Sequence, residues 1–414
     1  MNSTPLPRSA PPGPRQRLRG RSLPAGCGGC TLGRLARAGW VRTTACATLL
    51  LLILVELYHI VVEPNAAEIH TIFDTGLPAI TKDATCADWV AWIPRRFEPA
   101  VVLQVVSEEY IPMQQNFIRL MERNSSFNRH NLYLMCIDEA SRSFFDKQMG
   151  IRCVPVGALH VSGPHDIWKL RVRVLSCLIQ IGRVDVIVSD ADALWLNDPT
   201  QELLYGRRSG SDGVAGDGGR RSEYDAGEGA MGDIRGGDVV ASRGNFPEDL
   251  QEAWGTTMCM GFIFFRAKNI EGMTTFLRVV EHLVMENGND QRSINQAAAQ
   301  LGIVWDGDMR YEPSTGYGLG EIPAARIIAA ADGRDDSNPD GGARRALADR
   351  QGQVLPLTVS LLPHSTYTRV CEHAPFSAER TMVAHCLHPA TEGRAEVKTF
   401  WMQKMDLWSV EDDP

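Results

Sequence analysis

Residues 184–199 read VDVIVSDADALWLNDP. An apolar, β-branched run ends in Ser189-Asp190-Ala191-Asp192, and then Leu194-Trp195-Leu196 returns to apolar character. If the chain stays extended, residues two apart point to one side, so both carboxylates converge on one spot. Two close carboxylates repel unless they share a proton or a cation. Hard divalent cations, magnesium or manganese, suit carboxylate oxygens and take substrate phosphates as further ligands. A cation there would let an acidic protein hold a polyanion and neutralise a diphosphate leaving group. The competing reading is a solvated turn that happens to carry two acids.

The surrounding pattern places this segment in a layered fold. Residues 100–106 (AVVLQVV), 132–137 and 153–156 are short apolar runs suited to buried strands. Between them, 110–123 carries Phe117, Leu120 and Met121 at helical spacing, and 144–149 reads as a short helix. Residues 166–181 place Ile167, Leu170, Val174, Leu178 and Ile181 on one helical face, closed by Gly182 as a C-cap. Downstream, 261–265 (GFIFF) predicts a strand, 272–286 and 290–301 predict helices, 354–362 is extended, and 381–386 begins the last element. Strands alternating with helices predict an α/β fold with a mainly parallel, Rossmann-like sheet flanked by helices. In such sheets ligands sit beyond the carboxyl ends of the strands, which is where Asp190 and Asp192 fall. Residues 206–237, with 11 glycines, and residues 331–353 read as flexible polar insertions.

Charge is divided unevenly along the 414 residues. Residues 1–42 hold eight Arg, no Lys and no acid, so the net −8 of the chain leaves −16 on residues 43–414. An acidic body of that kind disfavours a nucleic-acid partner, since it would repel a phosphate backbone. The Pro-, Gly- and Arg-rich head reads as a disordered cytosolic tail. Residues 43–62 (TTACATLLLLILVELYHIVV) are about long enough to span a bilayer core. The preceding arginines orient them as a transmembrane signal anchor, with the rest of the chain across the membrane. Residues 63–98 read as a luminal stem, and 99–410 as the catalytic domain. Asn124-Ser125-Ser126 is a glycosylation sequon. Of ten cysteines, Cys27 and Cys30 lie in the head and Cys46 in the apolar segment. The other seven leave at least one thiol free in an oxidising compartment, and Cys371 with Cys386 is the expected bridge.

In four stretches the chain resembles the nucleotide-diphospho-sugar transferase family that includes plant cell-wall xylosyl- and arabinosyltransferases. They are residues 101–137, IWKLRVRVLSCLIQIGRVDVIVSDADALWLNDP (167–199), CMGFIFFRAKN (259–269) with DQRSINQAAAQLGIVW (290–305), and VAHCLHPATEGRAEVKTFWMQKMDLW (383–408). The resemblance implies a GT-A-type single catalytic domain that transfers a sugar from a nucleotide-diphosphate sugar to a hydroxyl of a glycan or glycoprotein, with retention. By match of position, Asp190 and Asp192 would hold Mn2+ (or Mg2+), with Asp190 also at the donor. His385 would be the third ligand, or His388 given the register of HCLHP. Lys398 would meet the diphosphate, Asp290 and Gln291 would lie by the donor sugar or acceptor, and Ser107 and Tyr110 would touch the nucleotide. Lys169 and Arg171 would balance phosphate charge. With the anchor, the resemblance implies a single-pass type II protein of the Golgi membrane, its catalytic domain luminal.

Plainer roles compete at several of these positions: a core histidine for His385, a surface lysine for Lys398, an N-cap for Asp290. Where the family strand has Asn or another small polar residue before its glycine, Cys259-Met260 precede Gly261 here. That departure suits a second reading, a luminal sugar-binding or scaffold protein without turnover. A third is an aspartyl-phosphate phosphohydrolase, which also places Asp-x-Asp after an apolar strand.

Overall fold

A computed structural model describes residues 76–94, 99–161, 163–205, 237–306, 317–332, 354–370, 377–386 and 395–410. The expected cytosolic tail and anchor, Cys27, Cys30, Cys46 and His388 lie outside the described residues, as do the two insertions apart from residues 237, 331 and 332. Among the described residues no helix is long and apolar enough to cross a membrane.

The chain runs α1 (Cys86–Ala91), β1 (Ala100–Val106), α2 (Ile111–Asn124), β2 (Leu132–Cys136), α3 (Glu139–Phe144), β3 (Cys153–Pro155), α4 (Pro164–Cys177) and β4 (Asp185–Ser189). It continues with β5 (Ala193–Trp195), α5 (Thr200–Tyr205), β6 (Val239–Gly244), α6 (Glu248–Trp254), β7 (Thr257–Phe265), α7 (Ile270–Asn287) and α8 (Asp290–Gln300). The last elements are β8 (Val304–Asp306), β9 (Gly318–Ile322), α9 (Ala324–Ala331), β10 (Leu357–Leu361), β11 (Tyr367–Val370), β12 (Val383–Cys386) and α10 (Ala395–Lys404).

Nine strands form one sheet in the order β3-β2-β1-β4-β7-β6-β10-β9-β8. The β1, β2, β3 and β4 pairings and the β6–β10 pairing are parallel, whereas β7 and β9 run against both neighbours. The sheet is therefore mixed: seven strands point one way, but half of the ladders are antiparallel. The physical reason lies in the connections. Parallel neighbours need a crossover helix, as β1, β2 and β4 have, whereas β7 inserts beside β4 as a reversed strand.

Alternation along the strands sends side chains into two cores, one on each face. Val101 and Leu103 of β1 enter one, and Ala100, Val102 and Val106 enter the other. Helices α1, α4, α7 and α8 cover the first face; α2, α10 and a small sheet β11-β12-β5 cover the second. Residues 76–94, on the stem side of the boundary expected at residue 99, pack here too. Trp89 is buried against the first core, and a Cys86–Cys177 disulfide ties α1 to the end of α4.

Local details differ from the periodicity. Helix α4 starts at Pro164, and after Cys177 it widens into a π turn over Leu178–Gly182. The left-handed residue that ends it is Arg183 (φ 51°), not Gly182, and Ile181 is exposed. Gly182 answers a different need: a Cβ there would lie 2.9 Å from Ile93 Cδ1. The expected helix 144–149 is a π turn following α3, which Asp138 caps through Ser141 N–H. A second disulfide joins Cys136 to Cys153 across β2 and β3. The expected Cys371–Cys386 bridge lies outside the described residues, because Cys371 does. Among the described residues Cys259 carries a free, buried thiol. At the sequon, Asn124 Nδ2 donates to Trp195 O at 2.9 Å, so the atom that would carry a glycan is already engaged.

Cross-linking residues 91 apart restricts the unfolded chain strongly. The Cys86→Ala/Cys177→Ala variant should lose about 2–5 kcal/mol of stability, read as a lower urea midpoint. Non-reducing peptide mapping should recover both bridges, with Cys259 alkylated only after unfolding.

Candidate active site

At the carboxyl end of β4 the ladder with β7 stops at the Ser189–Phe262 pair. Asp190 N–H then donates to Gly261 O at 2.8 Å, and Ala193 N–H donates to Asp190 O at 3.0 Å. The chain thus turns at Asp190-Ala191-Asp192 instead of staying extended. The two carboxylates converge because a turn folds them together, not through strand alternation.

His385 arrives from the far end of the sequence. Strand β12 pairs antiparallel with β5, placing His385 opposite Ala193, one residue beyond Asp192. Its Nε2 lies 3.5 Å from Asp192 Oδ1 and 3.8 Å from Asp190 Oδ2. Asp190, Asp192 and His385 offer ligand atoms within 4.8 Å of one another. Two carboxylates and an imidazole fit a divalent cation of the magnesium or manganese kind, with Asp190 partly open for a further ligand.

Room for this cluster depends on Gly261. A Cβ there would lie 2.0 Å from His385 Cε1 and 2.9 Å from Asp190 Oδ2. The same glycine sits at a bulge: between Ala241 and Ser242 of β6, the partner on β7 jumps from Ile263 to Cys259. Bulges re-aim side chains. Met258 and Met260 enter the first core, whereas Phe262 and Phe264 enter the second. Neither bulge nor close approach has a local sequence signal beyond the glycine itself.

Three bases neutralise the acids. Arg171, buried on α4, donates from Nη1 to Asp190 Oδ1 at 2.5 Å and from Nε to Asp290 Oδ2 at 2.7 Å. Lys398 of α10 donates to Asp192 Oδ2 at 2.5 Å. Burial works against the charge on Arg171, but Asp290 and Asp190 outweigh it and raise its pKa. Lys398 is likewise raised, burial opposing and Asp192 prevailing. Burial alone would push Asp192 up, yet Lys398 and His385 hold it below the usual carboxylate range. His385, despite burial, is pushed up to about 10 by Asp192 and Cys259. Cys259 Sγ lies 3.7 Å from His385 Nδ1, and His385 overcomes burial to bring that thiol down to about 7.

The remaining expected residues differ in what holds them. Asp290 is buried at the first turn of α8, but the N-cap is Asn289, whose side chain accepts from Arg292 N–H. Gln291 Nε2 donates to Phe246 O at 3.0 Å. Asn295, which sequence inspection did not single out, pins α8 to β7 by a reciprocal pair with Met258 N–H and O at 2.8 and 2.9 Å. Tyr110 is close enough to Lys398, Asp192 and Asp190 to feel their charges, although burial is the main reason its pKa is raised. Ser107 precedes the short turn Glu108–Tyr110 without capping it through its side chain. Lys169 is half-buried two residues before Arg171, about 200° around the helix, so α4 aims the two at different surroundings. Arg171 itself faces the acids, where it fixes two carboxylates.

The family model for nucleotide-diphospho-sugar transferases matches residues 161–391, more than half of the chain. The chain belongs to that family. The match takes in Arg171, the acidic pair, Gly261, Asp290 and His385, while Ser107, Tyr110 and Lys398 lie outside it. No curated protein matches the chain. Among solved structures, WbbM, a bifunctional glycosyltransferase in its apo form, is similar at 14% identity and TM-score 0.31, over 49% of this chain and 38% of that one. The chain thus spans well under half of that protein's length. Mouse xyloside xylosyltransferase 1, apo form, is similar at 13% identity and TM-score 0.28, over 48% of this chain and 81% of that one. The apo-form glycosyltransferase GlyE of Streptococcus pneumoniae TIGR4 is similar at 14% identity and TM-score 0.28, over 76% and 66% respectively.

Removing Arg171 would strand two carboxylates, one of them 2% exposed. The Arg171→Met variant should be destabilised by about 3–5 kcal/mol at pH 7. Burial already raises Asp290, so without the arginine its folded-state pKa rises further above the unfolded value. Stability of the variant then falls as pH rises through that window, and the deficit against the parent shrinks on acidification. Urea unfolding at pH 5 and pH 7 measures both.

Proposed function

We propose that the chain is a cation-dependent glycosyltransferase that moves a sugar from a nucleotide-diphosphate donor to a hydroxyl of a glycan or glycoprotein, with retention of anomeric configuration. The observation that carries this reading is the convergence of Asp190, Asp192 and His385, from segments almost 200 residues apart, within 4.8 Å at the carboxyl end of a sheet strand. The same reading takes the donor's diphosphate to the open side of Asp190 and the cation to be Mn2+ or Mg2+. It places the catalytic domain in the Golgi lumen behind a type II anchor.

Asp192 and His385, both buried, and the partly exposed Asp190 are the residues that would hold the cation. When bound, such a cation offsets the charge that develops on the departing diphosphate. Arg171 keeps Asp190 Oδ1 occupied and so directs the other oxygen toward the cluster. Lys398 rests on Asp192, and an arriving diphosphate would draw the ammonium off that carboxylate. Asp290 is bound to Arg171 and nearly inaccessible, so it acts on the site through that guanidinium and does not itself reach the donor sugar or acceptor, where the sequence led one to expect it. The same reading takes attack to be on the same face, with a donor phosphate oxygen taking the acceptor's proton. The phosphohydrolase alternative needs Asp190 as a free nucleophile, and the Arg171 bond opposes this.

A panel of nucleotide sugars with Mn2+ tests the proposal on the intact chain. Turnover of one donor should vanish in Asp192→Ala; because that substitution leaves Lys398 and His385 without their carboxylate, unfolding in urea must show the variant still folded. A fully active Asp192→Ala variant would end it. Lys398→Met should lower kcat by about 10²- to 10³-fold, the size of a lost oxyanion-type contact, with a smaller change in KM.

A further inference from the structure

Among the described residues Cys259 carries the free thiol, and it lies beside the acidic cluster. Cys259 is 1% exposed and His385 5%. Sγ faces Nδ1 at 3.7 Å, while Nε2 on the other side of the ring faces Asp192 and Asp190. The ring lies against the bare backbone of Gly261, two residues along the same strand. Thus β7 supplies both a floor and an edge to the imidazole: Gly261 beneath its Cε1–Nε2 side, Cys259 at Nδ1. Met260, between them, points into the opposite core.

We propose that Cys259 is a positioning residue that holds His385 by its Nδ1 edge, so that Nε2 is the nitrogen presented to the cation. A metal-bound imidazole has one nitrogen on the ion and needs a partner for the N–H on the other, and that partner sets tautomer and ring orientation. Carboxylates and backbone carbonyls are the usual partners. Here the bulge brings a sulfur to that place, and a thiol or thiolate accepts an N–H weakly but adequately. Cys259 therefore acts through His385 and does not ligate the ion. On this reading Cys259 before Gly261 supports the site and is not a lesion in it. The inference rests on the reading of Asp190, Asp192 and His385 as a cation site.

The test is Mn2+ binding by the full chain, without donor, measured by isothermal titration. Cys259→Ala should weaken Mn2+ by about 10- to 100-fold, the usual effect of losing an outer partner of a metal ligand. Cys259→Ser, which keeps an acceptor of similar size, should recover most of that loss. Unfolding in urea without the ion checks that both variants remain folded. Equal losses in the serine and alanine variants, or none in either, would overturn the proposal. Asp192→Ala and His385→Ala run beside them: if these two bind Mn2+ as the parent does, the cation site itself fails, whereas if they lose it and Cys259→Ala does not, only the role of Cys259 fails. A second readout needs no variant. In the 15N-histidine chain loaded with 113Cd2+, the cadmium coupling should fall on Nε2 of His385. Coupling on Nδ1, or a cadmium shift characteristic of sulfur ligation, would refute the arrangement.

Discussion

The contact on which the site depends is a backbone bond, Asp190 N–H to Gly261 O at 2.8 Å. It forms where the β4–β7 ladder ends, so it fixes the start of the acidic turn against the bulge of the reversed strand. Everything nearby is referred to that point. Asp192 follows by the turn, β5 by the return of the chain, and His385 by the pairing of β12 with β5. Because the glycine lacks a Cβ, the imidazole can settle directly on its backbone. A side chain there would occupy the volume of the ring itself, and neither the sheet nor the small three-stranded layer could give way cheaply, both being packed on buried cores.

Charge is the second constraint. An ionised carboxylate as buried as Asp192 is tolerable only beside positive charge, and the fold provides it twice, from Lys398 and from a raised His385. Arg171 does the same for Asp190 and Asp290 from a helix on the other face of the sheet. The arrangement is therefore a set of acids already matched by bases of the chain. On the proposed reading, a dication and diphosphate would take the places of a proton on His385 and of the Lys398 ammonium on Asp192, while the guanidinium would stay, since it cannot lose its proton and is held by two carboxylates. That division separates what binds from what supports.

Much of this architecture was legible in the sequence because it is local. Apolar runs such as 100–106 and 132–137 are long enough to name a buried strand, and Asp190-Ala191-Asp192 follows one directly. The parts that were not legible depend on contacts between distant residues. Nothing near Arg171 says that it will meet Asp290, 119 residues later. Nothing near Cys86 selects Cys177 over the other cysteines, since pairing follows from where α1 docks on α4. The reversal of β7 also escaped, because a strand's apolar run carries no sign of direction. The carboxylates met as expected but by another route, a turn closed by Ala193 N–H, which spacing alone does not distinguish from an extended chain.

The bulge in β7 explains why the departure at Cys259-Met260 need not be destructive. In a regular ladder, a residue two positions before Gly261 would continue toward β6, and its side chain would be judged by sheet packing alone. Here pairing with β6 skips from Ile263 to Cys259, and the Ser242 hydroxyl donates to Phe262 O at 3.1 Å. Cys259 is thereby released from the apolar layers that hold Met258 and Met260 on one side and Phe262 and Phe264 on the other. What decides its suitability is whether it can meet Nδ1 of His385. A small sulfur-bearing residue can do so without a solvated charge, in a place where a longer polar side chain would have to displace the ring. Strand irregularity and residue identity act together here: the bulge sets the position of the side chain, and the sulfur meets the imidazole edge.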